Sequence, residues 1–167
     1  MMGSLRLAII ILAAGQSKRM GTINKLLMRI EDRPMIQRVV DVAIEAGSGD
    51  ICVVTGFECD RIESLMSGYG VSFVHNESFR AGMGTTIAAG VKAISDQGFD
   101  GAMILLGDLP YLMADTVTAV AESFVEYEGR KIVMAAYNGN PGHPVVFPKA
   151  FFNELTLLSD DRGAREV

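Results

Sequence analysis

Residues Leu7 to Leu12 read LAIIIL, and comparable apolar runs return in DICVVTG (residues 50–56) and GAMILLGD (residues 101–108). A strand with no polar alternation must be covered on both faces, which is the signature of a parallel sheet between helical layers. The segments between these runs carry helical spacing instead. Met35, Ile36, Val39, Val40, Ala43 and Ile44 recur on one stripe behind Pro34, and Gly47 and Gly49 stop it. CDRIESLMSGYG predicts a short helix with glycine exits, and GTTIAAGVKAI places Ile87, Val91 and Ile94 on one face. Val117, Val120, Ala121 and Phe124 mark another helix, and PKAFFNELTLL a last one opened by proline. VSFVHN, KIVMAAY and HPVVF complete the strands, while YNGNPGHP reads as a loop. Strand–helix alternation of this kind predicts an α/β fold with helices on both faces of the sheet. At 167 residues, without repeats or a linker, the expectation is a single domain over 1–167.

Composition narrows the function classes. With 49% hydrophobic and 21% charged residues, the chain reads as soluble and globular, and no apolar run approaches the ~20 residues of a membrane span. Cys52 and Cys59 have neither metal-ligand spacing nor enough partners for a disulfide framework, so a reducing cytoplasm is the expected location. A formal charge of −5 argues against nucleic acid as a partner. Within that acidic chain, however, Lys18, Arg19, Lys25, Arg29, Arg33 and Arg38 fall close together. Local basicity of this kind suits a small anion. For Arg29, Arg33 and Arg38 a solvated helix face is the simpler expectation.

Ligands of open α/β sheets bind beyond the carboxyl ends of the strands. The residues there are Leu12, Ala13, Ala14, Gly15, Ser17, Arg19, Gly21 and Lys25 after the first strand, and Thr55 and Gly56 after the second. His75 and Asn76 follow the third, with RAGMGTT a few residues on, and Gly107, Asp108 and Pro110 follow the fourth. Small residues let backbone N–H groups approach an anion, and Arg19 and Lys25 add charge-assisted hydrogen bonds. The loop matches neither G-x-x-x-x-G-K-[ST] nor G-x-G-x-x-G. Read alone, it is equally a tight strand exit with surface cations. Asp108, at a strand's end, can hold a hard cation such as Mg²⁺ together with substrate phosphates, or can serve as a turn aspartate before Pro110.

LAAGQSKRMG followed by Lys25 resembles the signature of the nucleotidyltransferases that act on the molybdenum cofactor and on sugar or alcohol phosphates. FVHNESFRAGMGTTIAAGV, LLGDLP, NGNPGHPVVF and DDRGAR, in that order, resemble the molybdenum cofactor cytidylyltransferase group of the MobA-like nucleotidyltransferase family. The resemblance implies a three-layer sandwich on a Rossmann-like, mostly parallel sheet of the nucleotide-diphospho-sugar transferase type. It implies transfer of CMP from CTP to the phosphate of molybdopterin, with pyrophosphate released and Mg²⁺ as cofactor. By the same resemblance Ala13, Ala14 and Gly15 hold the base and ribose side through backbone contacts, Arg19 and Lys25 the triphosphate, Gly82, Gly84 and Thr85 close on the nucleoside, and Asp108 carries the metal. Leu12, Ser17, Gly21 and Thr55 join them as nucleotide-binding positions. LAAG stands where guanylyltransferase relatives show LAGG, which favours CTP over GTP.

On the acceptor side, His143, Arg162 and Arg165 are the candidates for the pterin or its phosphate, and a molybdoenzyme or its chaperone is the implied recipient. On residue chemistry alone His143 is equally a turn histidine, and the two arginines a solvated helix start. His75, closing a strand, reads as structural. Family members continue past DRGAR into a segment with a further acidic motif, so a C-terminal segment is expected to be lacking here. Two other functions fit the residues. One is a GTP-dependent guanylyltransferase or a nucleotidyltransferase for a sugar or alcohol phosphate. The other is a non-catalytic accessory protein that binds nucleotide and cofactor for a molybdoenzyme.

Overall fold

A computed structural model describes residues 4–17, 21, 23–161 and 163–167, the side chain of Glu166 apart. Strand β1 (Leu7–Ala13) is followed by a 3₁₀ turn (Lys25–Leu27) and a two-stranded hairpin of β2 (Arg29–Ile30) and β3 (Arg33–Pro34). Helix α1 (Met35–Ala46), β4 (Asp50–Thr55), α2 (Cys59–Leu65), β5 (Ser72–His75), α3 (Met83–Ile94) and β6 (Gly101–Leu106) continue the alternation. Helix α4 (Ala114–Glu126), the strand pair β7 (Val133–Tyr137) and β8 (Asn140–Pro148), and α5 (Phe152–Thr156) complete it.

The main sheet has the order β5-β4-β1-β6-β8-β7. Its first four strands are parallel, with Ile10 opposite both Cys52 and Ile104, and β8 and β7 close the sheet antiparallel. All seven residues of β1 are buried. Because side chains alternate across a strand, they feed two cores. Leu7, Ile9, Ile11 and Ala13 pack with α1, α2 and α4, whereas Ala8, Ile10 and Leu12 pack with α3 and α5. Ile9, Ile10 and Ile11 are fully buried, a contribution of ~1.5–3 kcal/mol each. The three-layer architecture expected from the apolar runs is the one observed.

Three segments differ from the sequence reading. YNGNPGHP is no loop: it turns at Asn138 and Gly139, both at positive φ, and runs on as β8. Pro34 precedes α1 rather than starting it, and PKAFFNELTLL divides into a 3₁₀ turn (Lys149–Phe151) and the short α5. Nor do Arg29, Arg33 and Arg38 share a helix face. Arg29 and Arg33 lie on the β2–β3 hairpin, where Arg33 pairs with Asp41 and meets the Tyr69 hydroxyl at 2.7 Å. Arg38, on α1, pairs with Glu31 and donates to the Pro110 carbonyl, tying the hairpin to the loop after β6.

This topology fixes where a ligand fits. The chain builds outward from β1 through β4 to β5, then returns to place β6 on the other side of β1. The order therefore reverses between β1 and β6, and a crevice opens where the loops after those strands diverge. No helix among the described residues is long and apolar enough to cross a membrane.

Candidate active site

A cleft of about 580 Å³ lies at that switch point. One wall comes from the exit of β1, with Ala14, Gly15, Gln16 and Ser17, and from Lys25 and Leu26 of the following 3₁₀ turn. Asp108, just past β6, faces this wall, and Phe79, Arg80, Gly82, Met83 and Thr86 form the side toward β5 and α3.

The Lys25 turn is built by short-range hydrogen bonds. Asn24 is 3% exposed, and its Oδ1 accepts from Leu26 N at 3.1 Å, capping the turn. Lys25 N donates to Ser17 Oγ at 3.1 Å, which fastens the turn to the glycine loop. The Lys25 ammonium then reaches Asp108 Oδ2 at 3.3 Å across 83 residues of sequence. Both side chains are about two-fifths exposed, so the pair contributes little to stability and remains open to a ligand. Its chemical content is a cation and a carboxylate held side by side at the mouth of a glycine-rich strand exit.

On the opposite side the segment near the carboxyl end wraps over the start of α3. Gly84 N donates to the Asp160 carbonyl at 2.8 Å, and Met83 N to Asp161 Oδ1 at 3.3 Å. A Cβ on Gly82 would stand 2.7 Å from Asp161 N, and one on Gly84 2.5 Å from Asp160 O. These two glycines thus admit protein backbone, and Gly84 does not line the cleft. Arg80 lies with its guanidinium 5.0 Å from the Phe79 ring centroid, against the same wall.

The structure brings Leu12, Ala14, Gly15, Ser17, Lys25, Gly82 and Asp108 to the cleft. Other expected nucleotide-binding positions stand elsewhere. Thr55 is fully buried and donates from Oγ1 to Glu63 Oε1 at 2.8 Å, so its hydroxyl is spent inside the protein. The Ala13 side chain points into the core, which leaves its backbone as the part that a ligand could meet. The Thr85 hydroxyl lies 2.8 Å from the Gly82 carbonyl and accepts from Asn76 Nδ2, and it is its neighbour Thr86 that reaches the cleft. Gly21 is exposed at positive φ and does not line the cleft. Arg19 and Arg162 lie outside the described residues. Among the described residues no three His, Cys, Asp or Glu groups assemble as a metal site, so Asp108 offers one carboxylate. One carboxylate with substrate phosphates is the ligand set that Mg²⁺-type ions accept, and Asp108 fits that role.

His143, on β8, donates from Nδ1 to the Ile104 carbonyl at 3.3 Å. Burial pushes its pKa below the ordinary imidazole value, Arg165 adds to the lowering, and the Ile104 hydrogen bond and Asp108 oppose it. His143, Arg165 and Asp108 therefore share one electrostatic neighbourhood, although neither His143 nor Arg165 lines the cleft. A histidine held neutral in the fold and free to protonate when unfolded stabilises the protein above the unfolded pKa of about 6.5, and that contribution is lost as pH falls through the interval below it. The melting temperature should fall on acidification through this interval, and His143→Gln should flatten that part of the profile. Equal pH profiles for the two proteins would count against a depressed His143.

Sequence reading missed Gln16, Phe79, Arg80, Met83, Thr86 and Asp161. RAGMGTT and DDRGAR were both recognised as stretches of interest, but which of their side chains face the cleft depends on where α3 begins and on contacts between distant segments.

Fold and cleft together define an α/β domain with its ligand site at a topological switch point. The chain belongs to the MobA-like NTP transferase domain family, whose model matches residues 9–167. Among curated proteins it is similar to the bifunctional protein GlmU of Sinorhizobium fredii, at 33% identity over 132 residues, 77% of this chain and 28% of that protein. The chain thus spans less than a third of that relative's length. Among solved structures, Rv0371c of Mycobacterium tuberculosis H37Rv superposes with a TM-score of 0.84 at 24% identity, covering 99% of this chain and 82% of its own. A manganese complex of Rv0371c aligns with a TM-score of 0.77 at 22% identity, covering 96% and 80%. A CMP:2-keto-3-deoxy-manno-octonic acid synthetase complexed with CTP aligns at 0.69 and 16% identity, covering 94% and 80%. At these identities the structural likeness is one of fold.

Proposed function

We propose that this protein is a nucleotidyltransferase that transfers CMP from CTP to the phosphate of a molybdopterin-type acceptor. The observation that carries the transferase chemistry is the Lys25–Asp108 pair at the glycine-rich exit of β1, inside the cleft of an NTP transferase domain. The cytidylyl preference and the acceptor rest on LAAG, GHPVVF and DDRGAR in the sequence.

In this reading the nucleoside lies between Ala14–Gly15 and the Phe79–Thr86 wall, and the triphosphate runs toward Lys25. An acceptor phosphate oxygen forms a bond to the α-phosphorus while the α–β bridging P–O bond breaks, and pyrophosphate leaves with that electron pair. Lys25 neutralises charge on the departing phosphates, and the backbone N–H groups of the loop orient them. Asp108 would hold a divalent cation, which supplies further charge neutralisation when bound. Ordering of the substrates by a rigid sheet edge accounts for the absence of any need for a protein nucleophile. His143 and Arg165, which share an electrostatic neighbourhood with Asp108, are the groups assigned to the acceptor in this reading.

The test is a nucleotide panel with divalent metal, read as thermal shift and as pyrophosphate release on adding the pterin acceptor. CTP at 100 times its dissociation constant should add ~2.7 kcal/mol of stability, and GTP at the same concentration clearly less. A larger shift with GTP would reassign the base, and binding without pyrophosphate release would make the protein a carrier.

A further inference from the structure

Asp161 stands apart among the charged groups of the cleft. Of the described residues that line it, Lys25, Arg80, Asp108 and Asp161 carry charge. Asp108 is engaged by Lys25 at 3.3 Å, whereas no lysine, arginine or histidine nitrogen of the described residues lies within 4.0 Å of the Asp161 carboxylate. One of its oxygens, Oδ1, accepts from Met83 N at 3.3 Å, which fixes the carboxylate at the first turn of α3. Asp161 is exposed and lines the cleft on the side of Gly82 and Met83, the wall against which the nucleoside is proposed to lie. The anchoring is firm because the preceding residue is locked too: Asp160 O accepts from Gly84 N, and Gly82 and Gly84 have no Cβ to push the segment away.

A fixed carboxylate oxygen can only accept a hydrogen bond. Placed beside a base, it selects for a donor at the base edge and rejects an acceptor, because two oxygens facing each other leave both unpaired. We propose that Asp161 is a specificity-determining residue that accepts a hydrogen bond from the exocyclic amine of the bound base, so that cytosine is taken and uracil refused. This inference rests on the reading of the cleft as a nucleoside triphosphate site. It adds that the base is read by a side chain from the far end of the chain, not by the β1 exit alone.

The experiment measures equilibrium binding of CTP, UTP and the triphosphate of 2-pyrimidinone riboside, which lacks the 4-amino group, to the wild-type chain and to Asp161→Asn. The asparagine keeps the oxygen that accepts from Met83 N and offers N–H where the carboxylate offered none. In the wild type, CTP should bind about tenfold or more tightly than either analogue. In Asp161→Asn the CTP advantage over UTP should collapse or invert. Should that variant not fold, the 2-pyrimidinone comparison in the wild type decides alone. Equal wild-type affinity for CTP and the amine-less analogue, or a folded Asp161→Asn with an unchanged CTP/UTP ratio, overturns the role of Asp161 and leaves the nucleotide reading standing. Failure of the wild type to bind any of the three triphosphates overturns both.

Discussion

An Asp108→Asn protein should fold normally and lose at least ~10²-fold in turnover. The fold is expected to survive because the Lys25–Asp108 pair is partly exposed and worth little to stability, and because the preceding strand β6 is anchored by its pairing with β1 and β8. Turnover is expected to fall because phosphoryl transfer is catalysed chiefly by positioning and charge neutralisation, and loss of one strong transition-state contact typically costs two orders of magnitude. The substitution keeps the size of the side chain and removes its charge. It also releases Lys25, so triphosphate affinity measured without metal should hold or rise, while the Mg²⁺ dependence of turnover weakens. Affinity and turnover moving in opposite directions distinguishes a reaction role from a packing defect, which would lower both. Near-normal turnover with unchanged Mg²⁺ dependence would reduce Asp108 to a turn residue.

The parallel core was legible because continuous apolar runs leave few alternatives: residues 7–12 and 101–106 had to be covered on both faces, and they are. What resisted reading was structure stabilised by distant partners. The β2–β3 hairpin has two residues per strand, too few for any periodicity, and it is held by the contacts of Arg33 with Asp41 and of Arg38 with Glu31 and the Ile30 carbonyl. NGNPGHP carries turn residues throughout, yet Asn140 and Pro141 pair with Tyr137 and Ala136 of β7, and β8 continues from there to Val145, where β6 joins it on the other side. Pro144 is tolerated where the β7–β8 register shifts, between Met134 and Ala136.

The same division runs through the cleft. Lys25 and Asp108 were found because both follow buried strands, and the rule that ligands sit at carboxyl ends needs no side-chain detail. Thr55 obeys that rule and still turns its hydroxyl to Glu63, since the last residue of a strand points to whichever face the alternation assigns it. Thr85 and Thr86 differ by one position on α3, and only the position of its first turn decides which of them faces the cleft. Asp161 was inaccessible to any local argument, as its partner Met83 is 78 residues away.

Gly82→Ala should be the most damaging single-methyl substitution in the site. Gly82 has φ 130° and ψ 174°, a region that only glycine occupies without strain, and holding another residue there costs on the order of 1–3 kcal/mol. The added Cβ would also stand 2.7–2.8 Å from the backbone of Asp160 and Asp161, atoms that cannot rotate aside as a side-chain tip can. Either α3 shifts or the carboxyl-end segment lifts off. The second course sacrifices less, since α3 is held to the sheet by the buried Ile87, Val91 and Ile94 while the segment is held by the Met83 and Gly84 hydrogen bonds and by the partly buried Leu158, Ala164 and Val167 at the edge of the same core. The expected result is a protein whose fully buried core residues stay packed and whose melting temperature falls by several degrees. Amide exchange should rise over residues 158–167 specifically. Nucleotide affinity should drop about tenfold or more as the Asp161 wall of the cleft is displaced. Gly84→Ala, at ordinary helical dihedrals but 2.5 Å from the Asp160 carbonyl, should produce the same displacement without the dihedral cost, so that its affinity loss is comparable and its loss of stability smaller. If exchange over 158–167 and nucleotide affinity stayed at wild-type values in both variants, the carboxyl-end segment would not be a wall of the site.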